Sequence, residues 1–289
     1  MFIDSHCHVL PSGFQERRAE LLARDATFAT LFAKAGAPIA TAETLIDAMD
    51  RAGVSRAVIM GMGWADRALA QEANDYLIEA VGRYPGRLIG FCSVNPAWGD
   101  GAVAEVERCA AAGLKGTGEL HPDTQGFDIT DASGLTPLMD AARRLGLPVL
   151  VHGSEPVGHH YPGKGRTTPD KLYRFIENFR DNTIVCAHWG GGLPFYALMP
   201  EVPGVLENVY FDMAASPFLY GPQVIATVAG LVGAGKILFA TDFPLIRPER
   251  LLRQVVESGL DRADQEAILG GNAARLLGLS DPQSISTGP

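Results

Sequence analysis

The run FIDSHCHV, residues 2–9, decides how the chain is read. It is short, apolar at both ends and β-prone, and it places two histidines two positions apart, His6 and His8. Side chains two apart on a strand point to the same face, so both imidazoles can reach one point. Neutral histidine is the commonest metal ligand. An HxH pair alone is a weak sign; its weight depends on what the rest of the chain sets beside it.

Seven further runs of the same kind follow, at 56–62, 87–95, 113–122, 148–154, 183–190, 209–215 and 237–244. Between them lie helical patterns at 44–52, 68–84, 103–112, 135–145, 169–178, 222–232 and 248–257, with a last one near 264–277. Strands alternating with helices predict a parallel α/β sheet. Eight such units in 289 residues predict closure into a (β/α)8 TIM barrel, a single domain over 1–279. Thr41 and Asp264 mark helix starts, and Gly53, Gly113, Gly146 and Gly235 sit where helices hand back to strands. Two segments exceed the minimal pattern: an insertion at 11–39 and a Gly/His/Pro-rich loop at 155–168. Both follow strand C-terminal ends, the active-site side of such barrels. Residues 280–289 read as a frayed C-terminal tail.

Nearly half the residues are hydrophobic (47%), enough for a large core, and the net charge is −9. That charge argues against nucleic acid as a partner, which calls for a basic surface. No run approaches the roughly 20 apolar residues of a membrane helix. The chain enters its first strand at Phe2 without a leader-like segment. The cysteines, Cys7, Cys92, Cys109 and Cys186, form no CxxC pair and read as buried free thiols. A cytoplasmic location is the expectation.

The remaining histidines give the HxH pair its weight. His152 ends the fifth run in VLVHG, His188 the sixth in IVCAHWGG, and Asp242 the eighth in ILFATDFP. One buried polar group at a strand tip is ordinary; several strands each ending this way are hard to explain as packing. In a closed barrel His6, His8, His152, His188 and Asp242 converge at the C-terminal mouth. The fourth run adds Glu119, in GLKGTGELHP, which either bridges two metal ions or pairs with Lys115 or a nearby helix. His121 shares its face and reads as a substrate contact or a satisfied loop histidine. Asp4, of the same strand parity as His6, either orients an imidazole or forms a structural ion pair.

With this motif set the chain resembles the amidohydrolase superfamily, in its amidohydrolase-related (family 2) branch, from IDSHCHV at 3–9 to GGNAARLLGL at 270–279. That branch includes hydrolases, lactonases and the aminocarboxymuconate semialdehyde decarboxylase type. The resemblance implies that His6 and His8 bind a divalent metal, with Asp242 as a further ligand. It implies that His152 joins that ion in single-metal members, and that His152 and His188 hold a second ion in two-metal members. There a strand-four lysine or glutamate bridges the ions, and here that position is Glu119. Zinc is the expected ion, with manganese as the alternative.

The expected activity is metal-dependent hydrolysis of an ester, lactone or amide in a small, carboxylate-bearing substrate. A zinc-bound water ionises near pH ~7. Asp242 would take its proton and His188 would help polarise the carbonyl. Non-oxidative decarboxylation on the same scaffold is the alternative, and Glu119 tilts the reading toward hydrolysis. A phosphoesterase is disfavoured by the few extra carboxylates at strand ends, and an inert scaffold by the intact ligand set. In the 155–168 loop His159, His160, Tyr161, Lys164 and Arg166 form a candidate cationic lid for an anionic substrate. Trp64 and Arg247 read as pocket-lining or surface residues. The aromatic segments at 194–200 and 216–222 read as a subunit contact or as rim packing.

Overall fold

A computed structural model describes residues 1–279; the tail expected at 280–289 lies outside the described residues. Eight strands run in sequence order: β1 (Ile3–His8), β2 (Arg56–Met60), β3 (Leu88–Cys92), β4 (Gly116–Leu120), β5 (Val149–Val151), β6 (Ile184–Cys186), β7 (Val209–Asp212) and β8 (Ile237–Leu238). Each pairs in parallel with the next. The ring closes through the segment after β8: His8 N donates to Phe243 O at 2.8 Å, and Asp242 N to His6 O at 3.0 Å. This is the (β/α)8 barrel that the alternation predicts.

Several strands are shorter than their apolar runs. β6 stops at Cys186 because His188 to Gly192 all take positive φ, from 56° to 100°, which no ladder accommodates. β8 stops after Leu238 because the next amides find other acceptors. Phe239 N donates to Ile268 O, and Thr241 N to the Asp4 carboxylate at 3.0 Å. A backbone group satisfied elsewhere has no need of a strand partner.

The helices bury one face against the sheet. In Ala42–Ala52 the buried residues are Ala42, Leu45, Ala48 and Met49; Thr41 accepts from Thr44 N, and Gly53 ends the helix at φ 71°. Arg67–Arg83 buries Leu69, Ala73 and Leu77, and the Asp66 carboxylate accepts from Ala68 N and Leu69 N. Burying one such leucine is worth about 1.5–3 kcal/mol. The last expected helix is broken into Arg262–Glu266 and Asn272–Leu276. Between them the chain turns under the barrel. Ala273, Leu276 and Leu277 pack with Val58, Phe91, Leu150, Val185 and Leu238 to close its floor. Buried Asn272 fixes this plug by donating to Ala234 O at 2.8 Å and Ile237 O at 2.7 Å.

The insertion folds as three short helices, Gly13–Glu16, Arg18–Arg24 and Ala26–Phe32. Phe14, Leu21 and Phe28 pack with Leu10, Met62 and Trp64 in a cluster beside the mouth. Trp64 therefore neither lines a pocket nor lies at the surface: it is fully buried, edge-on to Phe14 and stacked on Phe28. Asp25 ties the insertion down. Its carboxylate accepts from Phe28 N at 2.9 Å and from Ala65 N and Asp66 N at 2.8 Å each. Among the described residues no helix is long and apolar enough to cross a membrane. All four cysteines are buried and free.

Candidate metal centre

The site lies on the barrel seam and the strand ends around it. His6 and His8 come from β1 and Glu119 from β4; His152 follows β5, His188 follows β6 and Asp242 follows β8. The glycines of two motifs let the ends of β5 and β6 come together. A Cβ on Gly153 would sit 2.8 Å from both Ala187 O and the Gly190 carbonyl carbon. That approach leaves the His152 and His188 ring centroids 4.8 Å apart. His188 and Asp242 both have positive φ, 56° and 61°, a conformation that non-glycine residues hold only where the surroundings enforce it.

The imidazoles are held by their outer nitrogens. His6 Nδ1 lies 2.8 Å from Asp212 Oδ2. His8 Nδ1 donates to the Gly61 carbonyl, and His188 Nδ1 to Ala214 O at 3.1 Å. In a neutral ring with its proton on Nδ1, Nε2 is left bare and free to ligate. These atoms face inward. His6 Nε2 and His8 Nε2 are 3.0 Å apart, and Glu119 Oε2 is 3.7 and 3.6 Å from them. Asp242 Oδ1 is 3.2 Å from His8 Nε2, and Glu119 Oε1 is 2.9 Å from His152 Nδ1 and 3.5 Å from His188 Nε2. Two bare lone pairs at 3.0 Å repel unless a proton or cation sits between them. His152 Nε2 is likewise buried, with no hydrogen-bond partner among the described residues. Glu119 belongs to two potential ligand triads, with His6 and His8 and with His152 and His188.

The electrostatics point the same way. Burial opposes ionising Glu119, but His152, His188 and His6 outweigh it and hold its pKa well below the usual carboxylate range. Burial likewise opposes charge on Asp242, yet His8, His188 and His6 bring it down to about 2. Burial disfavours a charged His6, but Asp212 and Glu119 overcome it and raise the ring well above its ordinary value. His188 is raised against burial to about 9, chiefly by Glu119. Ionised carboxylates among rings that seek a positive charge make a cage that fits a divalent cation. Burial, reinforced by His152, pushes His121 down to about 4 and so keeps it neutral.

Not every expected site residue reaches this cage. His121 stacks on His152 with centroids 4.1 Å apart, and its Nε2 contacts Gly163 O at 3.0 Å, so it latches the 155–168 loop. Lys164 Nζ donates to the loop's own carbonyls, Val157 O and His159 O. Arg166 is 86% exposed at its side chain and pairs with Asp123. Tyr161 donates to Glu155 Oε2 at 2.8 Å, and His159 and His160 are exposed. The loop directs Lys164 to its own backbone and Arg166 to Asp123. Arg247 is exposed.

Asp4 does not orient an imidazole. Its carboxylate accepts from Thr241 N and Oγ1, because a register shift between Asp4 and Cys7 breaks the parity that the sequence suggests. The residue holding His6 is Asp212, which the sequence reading missed. Its only signal was a lone carboxylate within the apolar run at 209–215.

Fold and cage together define a barrel built for a divalent metal at its C-terminal mouth. The chain belongs to the amidohydrolase family, whose model matches residues 3–279. It is 27% identical to 2-amino-3-carboxymuconate-6-semialdehyde decarboxylase of Dictyostelium discoideum, over 74% of this chain and 67% of that one. It is 23% identical to gamma-resorcylate decarboxylase of Polaromonas sp., over 73% of this chain and 76% of that one. Among solved structures, 5-carboxyvanillate decarboxylase of Novosphingobium aromaticivorans, complexed with manganese, superposes with a TM-score of 0.79 at 19% identity, covering 96% of each chain. These names overturn the expectation of hydrolysis. The residue that favoured it, Glu119, does not separate the reactions: a cage of imidazoles and carboxylates serves either, and the bond broken is chosen elsewhere.

Proposed function

We propose that the protein is a divalent-metal-dependent, non-oxidative decarboxylase of a small unsaturated or aromatic carboxylic acid. The observation that carries this reading is the decarboxylase identity of the relatives at 27% and 23%, joined to a complete cage. His6, His8 and Asp242 would hold the ion, with Glu119 and His152 completing its surroundings. A bound divalent cation supplies Lewis acidity that anchors an oxygen of the substrate and stabilises negative charge as CO2 departs. The carbon–carbon bond to the carboxylate breaks, its electron pair stays on the substrate carbon, and a proton replaces CO2 there. His188 is the proposed donor of that proton, as the imidazolium that Glu119 favours: Ala214 O accepts from its Nδ1, and its Nε2 faces the cage beside Glu119. His121, which holds the 155–168 loop, and Tyr161 within that loop are the proposed neighbours of a small-molecule substrate.

A second reading of the occupancy has its own support, because Glu119 is shared by two triads. Two ions would make His188 a ligand and leave the proton to another group. The proposed ion is manganese or zinc; manganese is supported by the bound ion named in the neighbouring decarboxylase structures. The test is CO2 release from hydroxylated benzoic acids and amino-carboxymuconate-type acids, with metal content measured on the same preparation. Metal-dependent CO2 release is expected. Ester or lactone hydrolysis without CO2 release from any of these acids would defeat the reading.

A further inference from the structure

The geometry points to Asp212 as the positioning residue of the metal centre, fixing the ring state of His6 and the placement of His188 with one carboxylate. This rests on the metal-binding part of the reading above and not on the reaction assigned to it.

Asp212 closes β7 and is fully buried. Its Oδ2 contacts His6 Nδ1 at 2.8 Å. Its Oδ1 accepts from His188 N at 2.9 Å and Ala214 N at 3.1 Å. The Ala214 carbonyl then accepts from His188 Nδ1. One side chain thus sets the ring of one cage residue and, through the backbone it braces, the ring of a second. Among the described residues no lysine or arginine pairs with it, and its side-chain partner is His6. A buried carboxylate without lysine or arginine is costly to keep, and three donors converging on it account for its identity.

The requirement is for an acceptor on both arms. Asparagine has nearly the same shape but one arm becomes an NH2 group. In Asp212→Asn the amide oxygen faces the two backbone N–H groups, and the NH2 faces His6 Nδ1. The ring relieves that donor–donor clash by moving its proton to Nε2, the atom that faces His8 and Glu119. A protonated Nε2 cannot ligate an ion. Asp212→Asn therefore weakens metal binding without dismantling the strand end, whereas Asp212→Ala also strands the two backbone donors.

The experiment titrates Zn2+ against a competing chelator for the wild type and both variants, and records the melting midpoint of each without metal. Asp212→Asn is expected to lose about 10–100-fold in zinc affinity, the usual cost of removing a ligand's hydrogen-bond partner, with its metal-free midpoint close to that of the wild type. Asp212→Ala is expected to lose both. Wild-type zinc affinity in Asp212→Asn overturns the proposal. So does a metal-free midpoint that falls in Asp212→Asn as far as in Asp212→Ala, which would make the role merely structural. A wild type that binds zinc tightly yet releases no CO2 defeats the decarboxylase reading and leaves this test intact.

Discussion

Replacing Asp25 with alanine should loosen the wall of the mouth without touching the cage. The Asp25 carboxylate is 1% exposed and accepts three backbone N–H groups, from Phe28, Ala65 and Asp66. Alanine removes all three acceptors at once. At about 1 kcal/mol for each hydrogen bond the loss is about 3 kcal/mol, and more if any donor stays dry. For a chain of this size that is a fall of about 5 °C in melting temperature if the whole molecule feels it. The alternative is local: the insertion detaches while the barrel holds, and the cost appears as protease cleavage within 11–39. Either way the mouth suffers, because Thr27 donates to the Gly63 carbonyl and Leu31 lies against Gly163 of the long loop. Thermal melts, limited proteolysis and CO2-release kinetics on one preparation read all three. A midpoint within about 1 °C of wild type (about 0.5 kcal/mol), with unchanged proteolysis, would refute the assignment of Asp25 as the tether.

Four further outcomes are expected. Asp242→Asn, or prolonged chelation of the wild type, should abolish CO2 release with far-ultraviolet circular dichroism unchanged, and added manganese or zinc should restore only the wild type. Glu119→Gln should lower the metal count per chain, read by elemental analysis, if two ions share it; an unchanged count would remove Glu119 as a bridge. Gly153→Ala should destabilise by about 1–3 kcal/mol in urea melts, since the added methyl meets Ala187 O and the Gly190 backbone. Arg166→Ala should leave KM within about twofold, as an exposed residue away from the cage does; a tenfold rise would return Arg166 to substrate binding.

The barrel was legible because its strands are continuous apolar runs and its helices carry one apolar face. The cage was legible where a polar residue closes such a run, as at His152, His188 and Asp242. Less visible was anything that depends on register. Asp4 shares parity with His6 in the sequence, but the shift after it sends its carboxylate to Thr241. Asp212 also stands in an apolar run, yet nothing in the order of residues says that Asp242 enters the cage and Asp212 braces it from behind. Trp64 follows a strand as a pocket residue would, and only the folded insertion, with Phe14 and Phe28 against it, accounts for its burial. Lys164 and Arg166 looked like an anion trap because composition reports charge and not what the charge already holds.

The seam between β1 and the segment after β8 has a consequence for how the molecule is made. Thr241 and Asp4, 237 positions apart, bond across it, and the residues alongside are His6, His8 and Asp242. A chain emerging from the ribosome therefore exposes its HxH pair well before its aspartate. The group of His6, His8 and Asp242 cannot assemble before the segment after β8 is made, so an ion held by all three reports a closed circle of strands.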